Sequence, residues 1–474
     1  MSRFLPLAVL ALLSACATVP KLGTAPSLRA PETLASAQSF GTAQGTWPAD
    51  NWWAAYGDPA LDALITEALA GSPDVALAAA RVRAAEAIAQ QAGAALLPSA
   101  GIEASVGGNQ QSQNLGIPPQ FVPDGIQDTG RLAATASFNL DLWGKNRAAL
   151  AAATSEAEAA RVDAAQARVM LTTGVAAAYA DLAAAYRTRE VLLDALKVRE
   201  TTATLTAQRM AAGVDTRGSL RQAEARVPIA RGDILALDET ITLTRNRLAA
   251  LLGAGPDRGL SIARPTINDT RAALPADAGI DLIGRRPDIV AARLRVEAAA
   301  KRIKVAKADF YPNINLTALV GLQSLGLGNL INSGSTIVNG GAALSLPIFD
   351  GGKLAGRYRG ARADYDAAVA RYDSTLIISL REVADVLASR RATDARLVEG
   401  RRALLAADEA SDIAILRYKG GLSNQLQVLV TADALLAGRR TVADIEARRK
   451  ALDIALIRAL GGGYQITTNT AGTR

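Results

Sequence analysis

The sequence predicts a mainly α-helical chain with four β-strands, built from one supersecondary unit used twice. Three observations carry this. First, Gly340 to Lys353 reads GGAALSLPIFDGGK, in which Ala342, Leu344, Leu346 and Ile348 share one parity and Gly341, Ala343, Ser345 and Pro347 the other. One apolar side at period two is a strand. Second, the alternation stops at Asp350-Gly351-Gly352, and proline-free, helix-favouring sequence follows as far as Gly420-Gly421. That is 420 − 353 = 67 residues, or roughly 100 Å at about 1.5 Å per residue. Third, the joint occurs twice. Leu132, Ala134, Ala136, Phe138, Leu140 and Leu142 alternate with Arg131, Ala133, Thr135, Ser137, Asn139 and Asp141, then Trp143-Gly144-Lys145 breaks the pattern before a second long helical stretch to Gly213. Helices of that length suit no ordinary globular domain, where the mean is about 11–12 residues.

Composition narrows the function classes. Of 474 residues, half are hydrophobic but only 4% aromatic, which favours close-packed alanine-rich helices. The formal charge of +7 is spread through interleaved Arg, Lys, Asp and Glu, the signature of solvated helix faces and not of a nucleic-acid partner. No histidine and a single cysteine remove Ser-His-Asp and Cys-His catalysis, His or multi-Cys zinc sites and any intrachain disulfide. Gly352-Lys353 is no phosphate loop, because Leu354 stands where Ser or Thr is needed. The sequence therefore predicts neither an enzyme nor a cofactor or metal site.

The amino terminus reads as an export signal over residues 1–15: Arg3, an apolar run from Phe4 to Leu13, then Ser14-Ala15-Cys16. Leu13-Ser14-Ala15-Cys16 resembles the bacterial lipoprotein lipobox, which implies that Cys16 becomes the lipidated first residue. No Asp follows the cysteine, and by the sorting habit of lipoproteins this implies the outer membrane. Ordinary cleavage after Ala15 or Ala17, with Cys16 incidental, is the alternative. Residues 16–57 form an arm, rich in Pro, Thr, Ala and Ser, ending in Trp52-Trp53 and Tyr56, aromatics placed to anchor it.

Residues 58–278 make the first repeat. A helix from about Pro59 to Ala70 ends at Gly71-Ser72-Pro73-Asp74, where Ser72 and Pro73 suit the N-cap and first position of a helix running to about Leu97. A β-hairpin at about 100–142 follows, with Ile102, Ala104 and Val106 on one side of its first strand and a polar loop from Gly107 to Gly130. The long helix then runs from about Asn146 to Ala212 into a tight turn at 213–216. A return helix, with Val227-Pro228 as a kink signal, reaches Leu252, and a Gly- and Pro-punctuated connection closes the unit.

Residues 279–461 repeat this order, with a hairpin at about 313–348 and a tip turn at 420–423; residues 462–474 read as a disordered tail. Ser72-Pro73-Asp74 matches Arg286-Pro287-Asp288, and 312 − 98 = 287 − 73 = 214. Arg209 with Gly213-Val214 matches Arg417 with Gly421-Leu422, and Leu252-Gly253 matches Leu460-Gly461, each 208 apart.

Each strand is about 10 residues long with one apolar face, which suits a tilted membrane strand. Lipid tolerates no open sheet edge, so such a sheet must close. Four strands cannot close alone; two chains supply 4 × 2 = 8 and three supply 4 × 3 = 12, and only the larger barrel leaves a lumen.

The chain resembles the TolC-like outer membrane efflux proteins, in the lipoprotein branch that serves proton-driven RND pumps. The resemblance rests on the lipobox, Trp52-Trp53 with Asp58-Pro59, Arg286-Pro287-Asp288, Phe310-Tyr311-Pro312, Leu344 to Gly352 and the paired glycine turns. It implies a homotrimer in which a twelve-stranded outer-membrane barrel continues into a periplasmic helical barrel. It also implies a passive duct loaded by an inner-membrane pump through a periplasmic adaptor. Gly213, Val214, Arg417, Gly421 and Leu422 are thereby expected at the adaptor-docking tip and gate. Some relatives carry acidic residues inside the second turn, whereas here Asn424-Gln425-Leu426-Gln427 is uncharged and Arg417 and Lys419 make the approach basic. Two rivals stay open at this point: a duct for one-step protein secretion, and a lipid-anchored coiled-coil envelope protein without a pore, which predicts no membrane hairpins.

Overall fold

A computed structural model describes residues 19–41, 45–114, 116–268, 270, 272–275 and 277–465. The expected signal segment and Cys16 lie outside the described residues, as does most of the expected tail. In chain order the main elements are α1 (Pro59–Gly71), α2 (Pro73–Ala94), β1 (Ser99–Asn109), β2 (Gln127–Leu140), α3 (Lys145–Ala211) and α4 (Arg217–Leu251). The second series is α5 (Ala278–Arg285), α6 (Pro287–Ala308), β3 (Asn313–Leu325), β4 (Thr336–Ser345), α7 (Lys353–Lys419) and α8 (Gln425–Ala459). The duplication is written in the lengths: α2 and α6 have 22 residues each, α3 and α7 67 each, α4 and α8 35 each.

The chain divides into two compact units that cut across the repeats. One comprises residues 1–28, 81–160 and 292–372. It holds a four-stranded antiparallel sheet in the order β1-β2-β3-β4. The register sorts the side chains. Ile102, Ala134, Val320 and Val338 form one cross-strand row, Ala104, Leu132 and Leu322 another, and Phe138, Leu316 and Ala342 a third. All share one face, and Ile102 and Val338 are 79% and 76% exposed. The opposite face carries Ser99, Ser137 and Thr317 in one row and Ser105, Arg131 and Gln323 in another. Among the described residues neither edge strand has an outer partner. The pore-free coiled-coil reading falls here, because it has no place for this sheet.

The strand ends differ from the alternation. β2 starts four residues before Arg131 and stops at Leu140, because Asp141 turns away to accept the Asn146 and Arg147 N–H groups, both at 2.9 Å. Asp350 does the same for Gly352 at 3.1 Å and for Leu354. Each 67-residue helix thus starts on a carboxylate that satisfies its free N–H groups and faces the positive end of its dipole. β4 ends at Ser345, so Leu346 and Ile348 lie beyond it; Pro347 has no N–H for a ladder bond. The joint is held by Trp143, which stacks on Tyr311 at 4.9 Å and donates to the Pro312 carbonyl at 2.8 Å. Phe310 packs edge-on against Tyr358, and Val19 and Leu22 of the arm sit on that cluster. Further along the arm, Arg362 donates to the Gly23 carbonyl at 3.3 Å and Tyr365 to that of Pro26 at 3.2 Å.

The second unit comprises 29–80, 161–291 and 373–474. Trp52, Trp53 and Tyr56 are buried in its core with Leu61, Val175 and Leu248, so they do anchor the arm. Asp58 caps α1 through the Ala60 N–H (2.9 Å) and also accepts from the Tyr179 hydroxyl (2.9 Å) and the Thr266 N–H (2.8 Å). Burial pushes its carboxyl up, but these bonds outweigh burial and hold it below the usual range. The ends of α4 and α8 repeat one close approach. A Cβ on Gly253 would stand 2.2 Å from the Gly71 carbonyl oxygen, and one on Gly461 2.1 Å from that of Arg285. Both glycines have positive φ, so no other residue fits. Pro228 does not end α4, since it is exposed where water can satisfy the carbonyl it leaves free.

Arg286 is a buried charge of this unit, 6% exposed. It grips Asp288 with two bonds (3.0 and 2.7 Å), reaches Glu382 at 2.8 Å and donates to the Ala459 carbonyl at 3.0 Å. The motif expected to start α6 also clamps the start of α6 and the end of α8 to the middle of α7.

Candidate functional site

The two helix-to-helix turns lie together in the second unit. Each long helix ends in the same way. Gly213 (φ 76°) donates to the Met210 carbonyl at 3.0 Å and Val214 to that of Arg209 at 2.8 Å. Gly421 (φ 73°) donates to Tyr418 at 3.1 Å and Leu422 to Arg417 at 2.8 Å. These are Schellman caps with glycine in the left-handed position. Thr216 and Asn424 then cap the return helices by accepting from Ser219 (3.1 Å) and Gln427 (3.2 Å). With the backbone satisfied from within, the side chains are free to face outward. Val214 is 60% and Leu422 74% exposed, and among the described residues a Cβ on either glycine would meet nothing within 4 Å.

Arg209 and Arg417 occupy equivalent positions but different surroundings. Arg417 is exposed. Arg209 binds Asp215 at 2.9 Å, lies over the Tyr418 ring at 4.3 Å and donates to the Tyr418 carbonyl at 3.0 Å. The Tyr418 hydroxyl in turn donates to Asp215 at 2.6 Å. Burial, and then that bond, raise the phenol above its ordinary value, so it stays a donor. This Arg209–Asp215–Tyr418 cluster ties the first turn to the second. The sequence reading named the glycines and their neighbours but missed Asp215 and Tyr418. The signal was an asymmetry: at the offset of 208, Met210 faces Tyr418 and Asp215 faces Ser423, so only one copy of each turn bears the polar partner.

Further from the turns, Arg440–Asp233 (2.9 Å) and Arg226–Asp433 also join α4 to α8. Their side chains are about two-fifths exposed, so water and salt screen them. In the turn cluster Arg209 is 17% and Asp215 12% exposed, which makes it the stronger tie. Among the described residues no group of three His, Cys, Asp or Glu is placed to hold a metal ion.

The family model for outer membrane efflux proteins matches residues 64–254 and 281–462, spanning both hairpins and both turns. The chain belongs to the outer membrane efflux protein family. Among its relatives, the fusaric acid resistance protein FusA of Burkholderia cepacia is 35% identical over 89% of this chain and 80% of its own length. The multidrug resistance outer membrane protein MdtP of Escherichia coli K12 is 31% identical over 87% of this chain and 86% of its own. Among solved structures, the outer membrane protein VceC of Vibrio cholerae superimposes with a TM-score of 0.84, at 42% identity, over 88% of this chain and all of its own. The efflux protein described here thus has the fold of an outer-membrane channel, with a helical part that extends into the periplasm. Its relatives are channel components, not enzymes.

Proposed function

We propose that this chain is the outer-membrane duct of a tripartite efflux pump and passes small toxic compounds from periplasm to exterior without hydrolysing anything. The observation that carries the reading is the sheet: among the described residues it has four strands, one continuous apolar face, one polar face and two unpaired edges. In lipid those edges must pair with other copies. Three copies give 4 × 3 = 12 strands, enough for a lumen lined by the polar face. The names of FusA and MdtP speak of resistance to small molecules, which supports drug export over protein secretion. The test is the native mass of protein extracted from outer membranes, corrected for bound detergent. Three copies are expected; a monomer, or protein released without detergent, sinks the duct.

Lipidation of Cys16 belongs to the same proposal. Val19 packs on the Phe310–Tyr358 cluster, and Phe310 lies three residues before β3. Three residues reach at most about 11 Å, so a lipid on Cys16 would enter the membrane beside the strands. Cys16→Ser is expected to abolish fatty-acid labelling; persistent labelling would refute the anchor.

The turns at Gly213 and Gly421 would be the entrance and the docking point for the adaptor of an RND-type pump. Their exposed apolar residues and internally satisfied backbone support this. Gly213→Glu together with Gly421→Glu is expected to lower drug resistance at least several-fold while trimers still assemble. Substitution costs roughly 1–2 kcal/mol at each left-handed position, which leaves the fold standing. Unchanged resistance would count against docking there.

A further inference from the structure

We propose that a cavity between the two long hairpins is a binding site for a small aromatic or short-chain monocarboxylate. It lies in the second unit, has a volume of about 150 Å³, and is walled by side chains of α3, α7 and α8. That volume holds about one benzene-sized group. Val191, Ala195, Ile415, Leu435 and Leu436 supply apolar wall. The charged lining is Arg199, Arg439, Asp408 and Asp412, with Ser411 beside them.

The charges in and beside the cavity balance in number, three guanidinium groups against three carboxylates, but Arg199 is incompletely paired. Its Nη2 lies 3.5 Å from Asp433, a carboxylate already held by Arg226. Two guanidinium groups thus share one carboxylate. Arg199 Nη1 is buried and has no acceptor among the described residues. Arg439 and Asp408 neutralise each other at 3.0 Å. Asp412 is exposed, so its charge is screened, yet it disfavours a second negative charge on an occupant. An unfilled charge-assisted donor beside a ring-sized apolar wall fits a monoanion with a hydrophobic body. Chloride would satisfy the nitrogen but leave the wall bare. An occupant would touch α3 of one hairpin and α7 and α8 of the other. The site does not depend on the turns being a docking point.

The test uses the full-length protein in lipid nanodiscs, titrated by ligand-observed NMR with benzoate, benzyl alcohol and benzylamine. Benzoate is expected to bind at least tenfold more tightly than either neutral or cationic analogue. Arg199→Met should weaken benzoate by about ten- to hundredfold, the value of one hydrogen bond to a charged group. Ala195→Leu, which fills the cavity and leaves every charge in place, should weaken all ring compounds. If Arg199→Met does not assemble, Ala195→Leu and the three-ligand comparison still decide. The proposal is overturned if benzylamine binds as well as benzoate, if benzoate does not bind at millimolar concentration, or if either assembled variant keeps wild-type affinity.

Discussion

Val338→Arg is expected to keep the protein out of the outer membrane, while Asn339→Arg, one residue along the same strand, assembles normally. The two side chains lie at nearly the same height but on opposite faces of the sheet. Val338 belongs to the row of Ile102, Ala134 and Val320; Asn339 pairs with Leu319 and shares the row of Thr135 and Gly101. An arginine on a lipid-facing barrel position costs about 2–4 kcal/mol near the midplane, and three copies would bring that to roughly 6–12 kcal/mol. This is comparable to the whole stability of an ordinary domain, about 5–15 kcal/mol. An arginine facing a water-filled lumen costs little. Heat-resistant trimer on a semi-native gel of purified outer membranes is the measurement. Equal trimer from both variants would show that the apolar face does not meet lipid, and the twelve-strand closure would go with it.

That face was legible in the sequence because period two leaves a record at every second residue. The long helices were legible for a related reason: residues 353–419 contain no proline, and the flanking glycines mark where the chain leaves the helix. The paired offsets of 214 and 208 gave the duplication, and the equal helix lengths follow from it. Strand ends were less legible. Leu346 and Ile348 continue the alternation of β4, yet Pro347 interrupts the ladder and Asp350 already belongs to the cap of α7. Period alone cannot report a hydrogen bond that is not made. The turn cluster was hidden for a different reason. Asp215 and Tyr418 are about two hundred residues apart, and their pairing depends on two hairpins meeting. Matching the copies finds what they share, whereas the tie between the turns uses what differs: Tyr418 where the first copy has Met210, Asp215 where the second has Ser423.

Arg286 makes the same point with a larger energy. Aligned with Ser72, it reads as the residue before a helix, and that reading is true of its backbone. Its side chain does more. Four hydrogen bonds connect it to Asp288, Glu382 and the last residue of α8. Burial disfavours its charge, but the two carboxylates outweigh this and keep the guanidinium charged. Arg286→Met keeps much of the volume and removes the charge. It would leave Asp288 and Glu382, whose side chains are 28% and 36% exposed, without their partner. Removing one side of a buried pair costs about 3–5 kcal/mol, and the partial exposure of these carboxylates places the loss toward the lower figure. Water can reach the carboxylates but not the buried Ala459 carbonyl bond. Loss of that bond would loosen the junction where Gly461 packs on the Arg285 backbone. Arg286→Lys should recover part of the stability, since an ammonium keeps the charge but cannot grip Asp288 with two parallel bonds. Arg381→Met is the control, because its pair with Asp385 is 66% and 71% exposed and contributes little. Urea denaturation of detergent-extracted trimers would rank the four proteins. The expected order of midpoints is wild type and Arg381→Met together, then Arg286→Lys, then Arg286→Met. If Arg286→Met keeps the wild-type midpoint, the clamp is ornamental, and the start of α6, the middle of α7 and the end of α8 are held by the glycine contacts and apolar packing alone.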